Sequence, residues 1–555
     1  VSEVLVVRGE MQPWTDHTSP QPALAALLAD VLPANRRTLV LGPHSSLQLE
    51  SVLVHSSDVT VLVRSVSDAE SLAESFGPNL QVIAGALDGL QAAPFEVIVA
   101  TDGLDRVLGY DSAELTWSER LAAVHALATP DAVVVLALQN EFSVLNLLDR
   151  RPDHLRHGDT DWTPLHDDDT RPVSVDQFTA ALPWPATVYA DYAAHTLIDT
   201  TVAATARPGH LPTRLAIEAL EASPTPLLAA PTESVESASR AGLLAAIPTT
   251  WLAICNTPTP QAIYTPTLKA TSTTHGWQIT SAPIDPTPSG VYFDPTVVPV
   301  TIPDGVTVET TLLRLAAAED VPAFRKLAAQ LGEWATSSNL LLRWDDVVLT
   351  GDTFTHGVSG WVNPEPVDKA DLLAAAWLRF HHRLIDNHRR HPWPPWMVGD
   401  DLVSAWLAMS GIDPVPATPA TAPHAESIAA DQLARAKELT AALSAALETQ
   451  DHSDPDLRTA LADAARARHD LHELQGHVFG LERTLNFRNK ALKTRENRIR
   501  ELRAQVQKAT ADRTKLHGSR TYALARQVAR VAQLRKPRKL KKALRKYTNK
   551  LRPRR

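Results

Sequence analysis

At 555 residues and 60.4 kDa the chain is too long for one ordinary core and predicts about two to four domains. With 44% hydrophobic and 21% charged residues it can fold, which excludes a wholly disordered chain, and a single cysteine excludes a disulfide framework or cysteine-rich zinc sites. The net charge of −9 hides a split: residues 481–555 hold 26 Lys+Arg and 4 Asp+Glu, leaving 28 and 59 for residues 1–480, so an acidic body of −31 carries a tail of +22.

The opening VSEVLVVRGE lacks the basic flank and apolar run of a signal peptide, and no apolar run reaches the ~20 residues of a membrane span, so a cytoplasmic protein is expected. Over the first 200 residues short Val/Ile/Leu-rich runs alternate with helical patterns. The predicted strands are Thr38–Leu41, Val59–Val63, Leu80–Ala84, Glu96–Ala100 and Ala132–Leu138, with helices over Leu47–Val54, Asp68–Ser75 and Leu115–Ala128. Continuous rather than alternating apolar runs suit strands buried on both faces, and the order predicts a parallel, doubly wound α/β sheet.

Residues 208–303 carry 15 of the 41 prolines, and a poorly helical, partly β segment is expected over 206–310. Helical patterns return over 311–411, where seven of the 13 tryptophans lie between Trp334 and Trp406; at helical spacing these predict core packing rather than a sugar-stacking surface. Residues 412–427 read as a Pro/Ala/Thr linker.

From residue 428 to 518 breakers are scarce. A heptad seam runs from Leu471 through Leu474, Val478, Leu481, Leu485, Leu492, Ile499, Leu502, Val506 and Ala509 to Leu516, interrupted by Arg488, Arg495 and Arg513. It predicts a coiled coil, hence a homo-oligomer, with a stalk of roughly 70 Å at the helical rise. In residues 519–555, Tyr522, Leu524, Val528, Val531 and Leu534 fall near one helical face among arginines, Pro537 interrupts, and Leu540, Leu544, Tyr547 and Leu551 resume the spacing. A basic amphipathic helix of this kind suits an anionic membrane surface. Nucleic acid is disfavoured, because the tail carries no base-reading module.

Several strings together resemble class I S-adenosylmethionine-dependent methyltransferases, across residues 38 to about 205. FEVIVATDGLDRV (Phe95–Val107) resembles the family's fourth-strand motif, and Leu121–Asn140 its following helix, turn and fifth strand. Asn79–Leu90 is similar to the third strand and adenine-side loop, Asp58–Glu74 to the second strand and helix, and VSVDQFTAALPWPATVYADY to the final helix and strand hairpin. The resemblance implies a Rossmann-like sheet and S-adenosylmethionine as cofactor, contacted by Gly42, Ser45, Ser46, Arg64, Asp88, Ala100 and Thr101. It further implies His44, Asp102 and Asp105 as the candidates nearest the reacting groups. The sequence departs from the family where contacts matter most. The glycine-rich turn is VLGPHSS with Gly42 alone, Arg64 stands where an acid would hold the ribose, and the Pro-Gly-Gly turn is Pro130-Asp131-Ala132.

Two histidine groups complete the reading. His154, His157 and His166 with Asp167, Asp168 and Asp169 predict a solvated acceptor-side loop rather than a metal site. His381, His382, His388 and His391 predict a charged, exposed helix face. No GxxxxGK[ST], GxSxG or HExxH pattern occurs. The expected protein is methyltransferase-like, peripheral to the inner membrane face, and acts on a sugar-containing or cell-surface glycan acceptor. The alternatives are an inactive scaffold that recruits partners to the membrane and a nucleic-acid binder.

Overall fold

The computed structural model describes residues 4–412, except 13, 17, 78–79, 152–161, 163–167, 282–290, 386–388, 395–396 and 398–399, and scattered positions between 500 and 528. The chain divides into two units, Val1–Leu443 and Ser444–Arg555.

The first unit is built on one large sheet. Its amino-terminal strands are β1 (Leu5–Val6), β2 (Thr38–Leu41), β3 (Val59–Val63), β4 (Gln81–Ala84), β5 (Phe95–Ala100) and β6 (Ala128–Gln139). They are followed by β7 (Ala186–Tyr192), β8 (Thr196–Asp199), β9 (Thr250–Cys255), β10 (Ala262–Tyr264), β11 (Leu268–Thr273) and β12 (Gly276–Ser281). Strand β13 (Tyr292–Phe293) belongs to a separate three-stranded sheet, and β14 (Thr301–Pro303) closes the large sheet in the order β1-β4-β3-β2-β5-β6-β9-β7-β8-β10-β11-β12-β14. All pairs from β1 to β6 are parallel, as expected; β9 runs antiparallel to both β6 and β7.

The two-faced burial of these strands follows from their continuous apolar runs. Val40, Val61, Val82, Val99 and Val135 pack on one face with helices α1 (Pro22–Val31), α2 (Ser46–His55) and α3 (Val66–Phe76). Leu39, Leu41, Leu62, Ile98 and Leu136 pack on the other with α4 (Trp117–Leu127). Helix starts are set by side-chain caps. Ser45 with Gln48 and Thr116 with Glu119 form capping boxes at α2 and α4, and Ser65 caps α3. Pro130 is tolerated inside β6 because the pairing with β5 is irregular there, and a residue without an N–H suits such a break.

Two expectations are corrected. The sheet around β6 and β7 is completed by β9, 45 residues beyond a boundary placed at 205, so residues 1–205 do not hold the whole sheet. The span 206–310 contains the helices Leu211–Glu221 and Thr232–Arg240. Proline does not prevent them, because Pro212 lies in the first turn, where its missing N–H would be unpaired anyway, and Pro231 is the N-cap.

Beyond the sheet, the helices Val308–Ala317, Val321–Trp334, Lys369–Ile385 and Asp400–Met409 enclose a core rich in aromatic rings. Trp344, Trp377 and Trp406 are fully buried, and Phe324 packs against Trp393 at 5.0 Å and Trp377 at 5.9 Å between ring centres. These tryptophans are packing residues, as their spacing predicts. His381 is buried rather than on an exposed face, because it turns toward Trp406.

In the second unit, the described positions between 500 and 528 are helical apart from a bend at Ser519, and Leu524 and Val528 are exposed. The heptad seam lies outside the described residues. Among the described residues, no helix is long and apolar enough to cross a membrane.

Candidate functional site

The parallel sheet changes direction at β2. From there the chain builds β3 and β4 on one side and β5 and β6 on the other, so the carboxyl ends of β2 and β5 flank the crevice where open α/β sheets bind ligands. At the end of β2, Gly42 adopts a φ of 78°, a conformation that favours glycine, while its N–H donates to the Leu62 carbonyl at 2.8 Å. The next ring, His44, is half-buried. Its Nδ1 lies 2.9 Å from the Gly42 carbonyl, among the described residues its Nε2 meets no hydrogen-bond partner, and burial lowers its pKa against the Gly42 bond. Ser45 is committed to helix α2, its N–H donating to Gln48 Oε1 at 2.7 Å, and Ser46 is the first residue of that helix.

At the end of β5, Ala100 is buried and Thr101 leads to Asp102. Both Asp102 oxygens accept from Arg106, from Nε at 2.7 Å and from Nη2. Burial still raises the Asp102 pKa against this pairing. Asp105 belongs to a different cluster. It accepts from Arg171 at 2.9 Å and lies 3.5 Å from Arg120, which also reaches Asp168 at 3.3 Å.

A segment that the sequence reading overlooked crosses these strand ends. From Leu5 to Thr18 the chain runs as a strap. β1 pairs with β4, the Ala86 N–H donates to the Arg8 carbonyl, the Met11 N–H to the Arg64 carbonyl at 2.7 Å, and the Thr18 hydroxyl to the His44 carbonyl at 3.0 Å. Close backbone approach holds it down, since a Cβ on Gly109 would lie 1.9 Å from the Gly9 carbonyl oxygen. The strap delivers Asp16 to Arg64. Arg64 Nε and Nη2 donate to the two Asp16 oxygens at 3.0 and 2.8 Å, Nη1 donates to the Trp162 carbonyl at 2.8 Å, and the guanidinium carbon lies 5.2 Å from the centre of the Trp14 ring. Asp88 anchors the same region, accepting from the Ser112 hydroxyl at 2.8 Å and the Ala113 N–H at 3.1 Å, with Arg8 at 3.4 Å.

The structure therefore joins Arg64 and Asp102 through two residues that sequence reasoning missed, since Asp16 lies 3.9 Å from Arg106. Asp105 is not brought to this group, and Ser45, Ser46 and Asp88 serve the local fold. Asp168, expected in a solvated loop, is buried and accepts from the Trp117 and Thr170 N–H groups; these bonds and Arg120 hold its pKa low although burial opposes it. His154, His157, His166 and Asp167 lie outside the described residues. Among the described residues, no group of His, Cys, Asp and Glu could hold a metal.

The crevice fits a polar ligand on one side only. Around β2 and β5, His44 Nε2 has no hydrogen-bond partner among the described residues, and a Cβ at Gly42 would meet only ordinary contacts, Val107 at 3.4 Å being the nearest. At the end of β3, where an acid would meet a ribose, the guanidinium of Arg64 is fully buried and already satisfied by the strap.

No family model matches the chain, and no curated protein does. Among solved structures, part of the chain is similar to the CcbJ methyltransferase from Streptomyces caelestis, at 18% identity over 25% of this chain and 56% of that one, with a TM-score of 0.19. It is also similar to the 1,6-didemethyltoxoflavin-N1-methyltransferase of Burkholderia thailandensis (22% identity, 22% and 52% coverage, TM-score 0.18). A third is SAM-bound CalS10, an amino pentose methyltransferase from Micromonospora echinaspora (22% identity, 21% and 50% coverage, TM-score 0.18). The chain spans about half the length of each of these three. At this level the likeness carries no activity or ligand to this chain.

Proposed function

We propose that the protein is a methyltransferase-type enzyme that takes S-adenosylmethionine at the carboxyl ends of β2 and β5 and methylates a sugar-containing acceptor at an anionic membrane face. The observation that supports this is the topological switch at β2, which opens a crevice beside Gly42, the unpartnered His44 Nε2 and the Ala100–Asp102 strand end. S-adenosylmethionine, when bound, supplies the methyl group; the chain's own part is to orient the acceptor and exclude water. In this reading the strap, through Trp14 and Asp16 on Arg64, covers the neighbouring end of β3. The coiled coil and the tail over 519–555 would then set oligomeric state and membrane contact.

A second reading is favoured by one observation, the saturation of Arg64 by Asp16. In it the strap is permanent and the domain is a non-catalytic scaffold. Titration calorimetry of the full chain with S-adenosylmethionine and S-adenosylhomocysteine separates the two. Saturable heat with both ligands is expected for the enzyme, and silence at millimolar ligand overturns it in favour of the scaffold.

A further inference from the structure

A larger opening lies away from the crevice, in the region for which the sequence suggests no chemistry. A cavity of about 470 Å³ is walled by the helix Leu211–Glu221, the turn after it, the start of the helix Val308–Ala317, Arg343, Asp345 and the helix Lys369–Ile385. This volume lies within the roughly 300–1,000 Å³ of small-molecule sites. It shares no residue with the crevice at β2 and β5, and the inference does not depend on the methyltransferase reading.

Some of the charged wall is complete in itself. Asp345 accepts from Arg343 at 2.7 Å and from Arg379 at 3.0 Å, and Glu221 accepts from the Thr232 hydroxyl at 2.6 Å and from Arg383. Other groups on the same wall are not. Arg214 is 9% exposed, and among the described residues its Nη atoms complete no hydrogen bond, although Nη1 lies 3.0 Å from Asp346 and 3.5 Å from Glu218. Glu218, whose side chain is about one-third exposed, meets among the described residues only long ion pairs, at 3.5 Å to Arg214 and 3.8 Å to Arg343. Glu309 is 8% exposed, and among the described residues its carboxyl has one partner, Arg383 Nε at 3.5 Å. Burial raises the Glu309 pKa, although Arg383 opposes the shift. Groups placed as deeply as Arg214 and Glu309 normally find full hydrogen bonding, and leaving it incomplete is costly, whereas the half-buried Glu218 keeps a carboxylate open to the cavity.

The charge balance narrows the ligand. Four arginines and five acids line the cavity, so a free anion would meet carboxylates and a free cation would meet guanidiniums. A hydroxyl can do both at once, donating to a carboxylate while accepting from a guanidinium. No Phe, Tyr or Trp lines the cavity, so recognition would rest on hydroxyl hydrogen bonds rather than ring stacking. We infer that this cavity binds a neutral, polyhydroxylated ligand of about disaccharide size, held between the carboxylates of Glu218 and Glu309 and the guanidinium of Arg214.

The test is ligand-observed NMR and calorimetry on the full chain with maltose, cellobiose, sucrose and trehalose, beside glucose 6-phosphate and lysine as charged probes. Saturable binding of at least one neutral disaccharide is expected, weakened about tenfold or more by Glu218→Gln, the loss typical of a hydrogen bond to a charged group. Ala230, an exposed residue on the cavity wall, provides a variant that spares the ion-pair network, and Ala230→Trp should abolish binding without lowering the melting temperature. Failure of every neutral disaccharide at tens of millimolar, binding of the charged probes alone, or unchanged binding by Ala230→Trp would each overturn the assignment.

Discussion

Asp191, near the end of β7, is 7% exposed, and among the described residues its Oδ1 meets no hydrogen-bond partner. Burial pushes its pKa up to about 7, eased only by the Ala194 backbone N–H. The contrast with Asp345 is instructive, because that carboxylate is as deeply placed yet is held well below the usual range. Burial opposes the shift, and Arg343 and Arg379 outweigh it. Burial alone does not set a carboxyl's state; the presence of a close cation does. The consequence for stability can be signed. Between about pH 4 and 7 the folded protein keeps the Asp191 proton that the unfolded chain has lost, so stability falls as pH rises through this window and levels off above it. The shift corresponds to about 4 kcal/mol at most. Asp191→Asn should flatten this part of the urea-unfolding stability profile and raise stability at pH 8. An unchanged pH slope in the variant would refute the assignment.

At the scale of elements, four of the parallel strands were legible nearly to the residue, whereas β6 begins four residues before the expected Ala132–Leu138 and β1 was not foreseen. Thr38–Leu41 and Val59–Val63 match, and Leu80–Ala84 and Glu96–Ala100 differ by one position at one end. Their apolar runs are continuous because both faces are covered, and that pattern needs no knowledge of partners. The strap was not legible. Its strand is two residues long, and its order comes from backbone bonds to β4 and Arg64 and from glycine contacts, none of which leaves a periodicity. Asp16 was missed for the same reason, while Arg64 was seen only as a residue out of place. β9 escaped the domain boundary because 50 residues separate it from β8 in sequence. The strap's dependence on one pair makes it testable. Asp16→Ala leaves the buried Arg64 guanidinium without its carboxylate and should cost about 3–5 kcal/mol in urea unfolding, whereas replacing both residues by apolar ones should cost far less. Limited proteolysis near Arg8 should accelerate in the single variant. Equal stability of Asp16→Ala and the parent would show that the pair does not hold the strap.

For the whole molecule, the unequal distribution of charge matters more than its sum. The last 37 residues, 519–555, contain 15 Lys+Arg and no acid, whereas residues 1–480 carry −31. Each basic residue near an anionic bilayer contributes about 1 kcal/mol, and the attraction decays within a Debye length of ~10 Å at 0.1 M salt. Phosphate-rich polymers would attract the same charge, so salt sensitivity by itself does not identify the partner. The apolar positions offer a test that separates the two. Leu524 and Val528 are 62% and 61% exposed on a helix, which favours a hydrocarbon boundary and adds nothing to phosphate binding. Flotation with phosphatidylserine vesicles should therefore recover the full chain at low salt, release it at high salt, and fail with phosphatidylcholine alone. The double substitution Leu524→Glu and Val528→Glu should reduce flotation much more than binding to a polynucleotide, and deletion of 519–555 should abolish both. If the glutamates weaken polynucleotide binding and flotation equally, the apolar face has no separate role and the tail acts through charge alone.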